Sequence, residues 1–444
     1  MKEFGRMENK VLVIAYYFPP MGLSGVQRTL KFVKYLPKYD WEPTVLTVTP
    51  TAYYALDYGM LREMNENNIR TVRTNSIDPT RLFEAGKPVK MPHEKLRNFM
   101  SAISQAVFIP DNKVGWKHEA LKAGRKLMRE EKFDVILSTA PPYTCHLIGM
   151  ALSNEFGVPL VVDYRDAWVD NPLHFYLTPY HKFLHQKLER KVLRAAGRII
   201  TINRRIKELM IRRYRFLNYN DVAIIPQGYD PADFQVEDTL KLPYSDRMRF
   251  TYSGTFYRNR TPKYFLRALS EVLKEHPGYR KKIEAVFIGT FRKENLALIE
   301  SLDLQDVVKV FGYLDHKSAM RYLLTSDVLW MTIGNGRGED MISTGKLFEY
   351  IGSRKPILGL VPNGVARSTI TESRAGRVVN PDDVQGIKKA INEYYALWEK
   401  NQLPEIDPEF AHNYDRMKLT GDLARELSSQ LDYRGSYAKM GVVH

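Results

Sequence analysis

GNGRGEDMISTGKLFEYIGSRKPILGLVPNG, residues 334–364, decides how the rest of the chain reads. An apolar run, Asp327–Ile333, ends where it begins, and a second, Pro356–Val361, closes it. Continuous apolar runs of this length fit strands of a parallel sheet buried on both faces. Between them lie a glycine-rich loop, Ser343-Thr344-Gly345-Lys346, and a short helical stretch carrying Glu349. A loop and helix N-terminus at the carboxyl end of a strand offer free N–H groups and a positive dipole end, which suits phosphate. Lys346 adds a cation, and Glu349, one turn on, is placed to hold ribose hydroxyls. Strand, glycine loop and helix recur in most α/β proteins, so this stretch alone also fits a plain structural turn.

Working outward, the same alternation fills most of the 444 residues. Strands are predicted at Lys10–Ala15, Pro43–Val48, Asp134–Ser138, Pro159–Val162, Arg198–Ile202 and Val222–Ile225, with helices between. After a turn-rich break at Pro226–Pro231, six more follow: Arg249–Ser253, Ile283–Ile288, Val307–Phe311, Val328–Ile333, Pro356–Val361 and Gly376–Val379. This order predicts an α/β protein of two Rossmann-like, doubly wound domains facing a cleft. Their expected spans are 1–228 and 229–408, with a helix and tail at 409–444 packing back on the first. Ligands of such sheets bind at the carboxyl ends of strands, so loops 16–25, 139–146 and 163–170 are candidate site loops of the first domain. The first turn, with Gly22 and Gly25, lacks the G-x-G-x-x-G dinucleotide fingerprint, which disfavours a Rossmann oxidoreductase. Residues 51–118 are polar, aromatic and basic and give no clear pattern. Within them, NFMSAISQAVFI at 98–109 fits either a core helix or a segment touching lipid.

Composition narrows the class. Hydrophobic content of 44% and aromatic content of 12% suit a folded protein. The chain has no apolar run of transmembrane length, and its start leads straight into a strand, so no signal peptide is expected. With one cysteine, Cys145, neither an intramolecular disulfide nor a Cys-cluster metal site is available. A cytoplasmic location is therefore expected. The net charge of +15 suggests a polyanionic partner. Between Lys182 and Arg215 twelve Lys/Arg stand against two Glu. That density reads as a solvated helix face or as a surface for an anionic membrane, which would place the protein on the inner face of the plasma membrane. The chain has no reader helix and no aromatic–basic strand set, so nucleic acid is not expected as a partner.

Six stretches, in order, resemble GT-B glycosyltransferases of family 4 across nearly the whole chain. Residues 10–48, with Gly22, Gly25 and Arg28, resemble the family's opening strand, loop and helix. Pro141, Pro142, Arg165, Asp166 and Trp168 resemble the PP loop and RDxW stretch of a subset. Ile225–Asp230 through Phe234 resembles the IPNGVD…F hinge, with Gln227 in the Asn place. Phe311–Leu314 resembles the loop beside the nucleotide base. Gly254 resembles the glycine preceding the phosphate clamp, and residues 343–361 resemble the KLxEYxxxxKPIL form of the sugar-nucleotide motif.

The resemblance implies a retaining, metal-independent transferase, of hexosyl type, with no cofactor. It would move a sugar from a UDP- or GDP-sugar to a glycan or lipid-linked hydroxyl, in surface polysaccharide biosynthesis. Arg260 and Lys346 would neutralise the leaving diphosphate. Gly22, Gly25, Gly254, Thr255, Lys263, Leu314, Ser343, Thr344, Gly345 and Glu349 would hold the donor. Arg165 stands where many members carry a histidine, so Arg165 and Asp166 are the catalytic candidates of the first domain, with Asp163 beside them as a second carboxylate. The family's first motif glutamate falls on Met341, with Glu339 and Asp340 out of register. A nucleotide-sugar 2-epimerase and a non-catalytic homologue of the same fold are the alternatives.

Overall fold

The computed structural model describes residues 9–22, 24–50, 56–78, 104–105, 107–172, 174–235, 243–256 and 259–439. Most of the apolar segment at 98–109 lies outside these residues. The chain divides into two units. One comprises residues up to Pro226 together with those from Arg416 onward, the other Gln227–Asp415.

Among the described residues, the first unit is built on a seven-stranded parallel sheet: β1 Asn9–Ile14, β2 Trp41–Val48, β3 Arg70–Thr74, β4 Val135–Ala140, β5 Leu160–Tyr164, β6 Arg198–Thr201 and β7 Val222–Ile224. Its order is β3-β2-β1-β4-β5-β6-β7. The helices are α1 Ser24–Tyr35, α2 Tyr58–Glu66, α3 Lys117–Glu130, α4 Thr144–Phe156, α5 Pro179–Ala195 and α6 Arg204–Arg213. Strand β3, RTVRT, and helix α2 fall in the stretch that the sequence left unread. As an edge strand β3 is at best half-buried along its length. It therefore carries no apolar run to betray it.

The second unit holds β8 Met248–Ser253, β9 Ile283–Ile288, β10 Val308–Val310, β11 Val328–Thr332, β12 Ile357–Leu360 and β13 Gly376–Val379. Their order is β10-β9-β8-β11-β12-β13, again parallel throughout. Its helices are α7 Lys263–Glu275, α8 Lys293–Ser301, α9 His316–Leu324, α10 Gly345–Gly352, α11 Val365–Glu372, α12 Val384–Glu399 and α13 Pro408–His412. The last helix, α14 Arg416–Lys439, belongs to the first unit, where Leu419, Leu423 and Leu427 enter the core. The divisions thus fall at 226/227 and 415/416, a few residues from the boundaries read in the sequence.

Both sheets reverse their strand order once: between β1 and β4 in the first unit, and between β8 and β11 in the second. Helices cover both faces, so the central strands β4, β5, β8 and β11 are buried along nearly their whole length. Strand β11 (VLWMT) is buried throughout, with Trp330 stacked on Phe265 at 4.2 Å. Among the described residues no helix is long and apolar enough to cross a membrane.

Candidate active site

In a doubly wound sheet the strands diverge where the order reverses, and the crevice outside their carboxyl ends admits a ligand. In the second unit that point lies between the loop after β8, from Gly254, and the loop after β11, from Ile333. The two loops touch: a Cβ on Gly334 would collide with Asn259. Helix α10 opens directly afterwards at Gly345. Residues 334–364 therefore sit at the reversal of the second sheet.

The sequence of α10 explains what it presents. Lys346 and Tyr350 are four residues apart and share a face. The hydroxyl of Tyr350 accepts the amide of Ser253 at 2.9 Å, tying this face to the end of β8. Lys346 consequently lies against Gly254. Its ammonium donates to the Tyr252 hydroxyl at 2.7 Å and sits 3.9 Å from the centre of that ring. Gly254 has φ 132°, and a Cβ there would come within 2.5 Å of Lys346 Nζ. Only glycine meets both demands. Burial, aided by the charge of Arg260 and opposed by Glu349, pushes the lysine's pKa down to about 7. An ammonium held by a phenol, with another cation nearby, is electrostatically prepared for an anion.

Arg260 is buried, with its guanidinium 3.9 Å from the carboxylate of Glu339. Glu339 is itself buried and follows Gly338, whose left-handed conformation (φ 78°) starts a short 3-10 turn at Glu339–Met341. Counting along the chain put the first motif glutamate at Met341. Glu339 stands two positions before that count, and the turn brings it to the cation.

Other expected donor residues take varied places. Thr344 is the N-cap of α10, and its buried hydroxyl has no hydrogen-bond partner among the described residues. Ser343 and Gly345 flank it, both half-buried. Glu349, half-buried, lies close enough to act on the Lys346 charge. Thr255 follows Gly254 in the same loop. Lys263 begins α7 and lays its side chain over Tyr264, 5.6 Å from the ring centre. Leu314 packs on Val286, Ile288 and Ala319 beyond β9, beside exposed Phe311 and Tyr313.

The candidates of the first unit behave differently. Arg165 is buried and donates to the carbonyls of Gly25, Ala140 and Pro141. It joins the loops after β1, β4 and β5, and a Cβ on Gly25 would strike its guanidinium. Held by three main-chain carbonyls, Arg165 braces these loops. Gly22 is buried in the same first loop. Asp163 is locked by Arg28, which donates to both carboxylate oxygens at 2.8 and 3.0 Å and to the carbonyls of Ile225 and Pro226. Burial would raise the Asp163 pKa, but Arg28, Arg165 and the Thr139 hydroxyl hold it below the usual range. A carboxylate so engaged cannot take up a proton readily. Asp166 is exposed at the end of the same loop. His146 is buried against the Ser138 hydroxyl at 2.8 Å, and burial lowers its pKa to about 3, so it stays neutral and structural.

A polar cavity of about 550 Å³ lies between α14 and the β7 edge, lined by Arg198, Lys207, Lys418 and Arg425 among others. Three of these cations are already engaged: Arg198 by Glu426, Arg425 by Asp422, and Lys207 by the Tyr219 ring at 3.3 Å. It lacks the convergence of loops seen after β8 and β11.

Comparisons with known proteins identify the fold and the family. Residues 24–233 match the model of Glycosyltransferase Family 4, and residues 238–404 that of Glycosyl transferases group 1. No curated protein matches the chain significantly. Among solved structures, a glycosyltransferase from Rickettsia africae superposes with a TM-score of 0.64 at 13% identity, covering 95% of this chain and 98% of that one. Anabaena HepE, crystallised with UDP and glucose, gives 0.64 at 15% identity, covering 95% and 100%. Sucrose-phosphate synthase from Thermosynechococcus elongatus gives 0.60 at 15% identity, covering 97% and 100%. At such identities the structures speak for the fold, and the family models for the family. The chain is a glycosyltransferase of the GT-B fold, belonging to the family 4 type.

Proposed function

We propose that this enzyme is a retaining, metal-independent transferase that takes its sugar from a UDP- or GDP-sugar and passes it to a hydroxyl of a glycan or lipid-linked acceptor, in the assembly of a surface polysaccharide. The observation that carries the donor reading is Lys346, held by Tyr252 against Gly254, with Arg260 near enough to depress its pKa. The UDP and glucose bound by HepE, of the same fold, support it.

In this reading the diphosphate lies between the loop after β8 and the N-terminus of α10. As the glycosyl–oxygen bond breaks, negative charge grows on the leaving phosphate. Arg260, Lys346 and the amides at Thr344–Gly345 stabilise that charge without a metal. Glu349 holds the ribose hydroxyls and Glu339 the sugar. Residues 311–314 border the base. On the first unit, the loops joined by Arg165 receive the acceptor, and the exposed carboxylate of Asp166 orients its hydroxyl or accepts its proton. The basic stretch 182–215 brings the protein to an anionic membrane surface, where a lipid-linked acceptor resides.

The test is release of nucleoside diphosphate from a panel of UDP- and GDP-sugars, with and without membrane lipid, beside a thermal-shift screen of the same compounds. Release that depends on added acceptor is expected. Shifts without release would make the chain a binding homologue. Interconversion of the donor without any acceptor would make it a 2-epimerase.

A further inference from the structure

The basic stretch is not uniformly available. Lys207 is buried under Tyr219, and Arg198 and Arg213 are ion-paired with Glu426 and Asp170. What remains most concentrated is one face of α5. His185, Glu189, Val192 and Leu193 of this helix point into the core. Tyr180, Phe183, Lys187, Arg190 and Arg194, at successive steps of three and four, form the outward face, and all are exposed. On an ordinary surface helix this stripe is polar throughout. Here its first turns are aromatic.

The apolar end extends beyond the helix. Phe175, Leu177, Tyr180 and Phe183 are 49%, 57%, 65% and 56% exposed. A single exposed apolar side chain is ordinary, but four within nine residues form a patch. The Gln105 side chain, accepting the Phe175 amide at 2.6 Å, brings Val107, 66% exposed, into the same neighbourhood. Cations begin where the aromatics end: Lys182 reaches the Tyr176 ring, and Lys187, Arg190, Lys191 and Arg194 continue along the helix. An apolar tip followed by a cationic stripe matches the depth profile of an anionic bilayer, with acyl chains below and phosphates above.

From this juxtaposition we infer that Phe175, Leu177, Tyr180 and Phe183 form a wedge that inserts into the interface of an anionic membrane, with the α5 cations lying over the lipid phosphates. The inference rests on the membrane-surface reading above and sharpens it, because adsorption by charge alone needs no apolar side chains. The occupant is a lipid surface rather than a protein, since the exposed charges of α5 are all basic.

The full chain is tested on phosphatidylglycerol-containing and pure phosphatidylcholine vesicles, across a salt series. Cys145 is fully buried and its thiol pKa is pushed up to about 12, so it does not compete for a thiol-reactive fluorophore placed by Tyr180→Cys. On anionic vesicles this probe is expected to shift to the blue and to be quenched by acyl-chain spin labels. A Leu296→Cys probe, on an exposed site of the second unit, is expected to stay aqueous. Combined Phe175→Ser, Leu177→Ser and Phe183→Ser should weaken vesicle binding by about tenfold or more. UDP binding and thermal unfolding should stay unchanged. Binding lost entirely at moderate salt, with a 180 probe open to iodide and a triple variant equal to wild type, would overturn the wedge while leaving the basic surface standing. No binding to anionic vesicles even at low salt would overturn both. Self-association abolished by the triple variant, without vesicle binding, would assign the patch to a second copy and overturn the inference.

Discussion

The two sheets reverse at equivalent points and use their buried cations in opposite ways. In the first unit Arg28 makes four hydrogen bonds and Arg165 three. One is paired with Asp163, both are bound to carbonyls, and together they knit the loops. In the second, Lys346 donates to the Tyr252 phenol, and Arg260 faces the Glu339 carboxylate at 3.9 Å. A guanidinium tied to several carbonyls or a carboxylate in this way stabilises the fold. A buried ammonium held by a neutral phenol, as Lys346 is, costs stability and gains binding strength for an anion. Topology alone therefore does not say which crevice grips phosphate; the partners of the cations do.

The sharpest way to break this contrast is Arg28→Ala. It leaves Asp163 buried without its partner and should cost about 3–5 kcal/mol in denaturant unfolding. A loss below about 1 kcal/mol would show that the pair is not a brace. Lys346→Met should do the reverse, with little change in unfolding and a turnover lower by about 10²–10³-fold. An equal fall in stability and in activity would erase the distinction between the two crevices. Glu349→Ala should weaken nucleotide binding by about 1.5–3 kcal/mol, read by calorimetry. Unchanged affinity would remove it from the ribose.

The smallest effect is a pH dependence at Lys346. Its folded pKa is near 7, below the ordinary lysine value. Above pH 7 the empty site is increasingly neutral, and a diphosphate must draw a proton in. Nucleotide affinity should therefore fall as pH rises past 7, by at most about tenfold per unit, with proton uptake on binding. Stability moves the other way. The unfolded chain holds the extra proton between about pH 7 and the ordinary lysine pKa, so the destabilisation is full below 7 and fades as pH rises through that window. Lys346→Met should flatten both profiles, measured by titration in buffers of different ionisation enthalpy.

Much of this was legible beforehand because buried parallel strands must be apolar on both faces. The runs at 10–15, 283–288 and 356–361 could hardly be anything else. Strand β3 escaped because an edge strand needs no such run. Glu349 could be read because α10 is a regular helix, in which three residues from Lys346 means one turn. Glu339 could not, because the left-handed residue at Gly338 breaks the relation between sequence spacing and direction. Arg165 was legible as a cation at a strand end, but not as a brace.

By itself, then, the sequence determined the two α/β units, the glycine loop with its lysine and glutamate, and the family resemblance, since these rest on periodicity and local spacing. The tertiary structure alone decided which cations are occupied, that Glu339 reaches Arg260, and that the aromatic residues of 175–183 face outward. Those depend on contacts between segments far apart in the chain, such as Arg28 with Asp163 or Gly254 with Lys346, which no local pattern encodes.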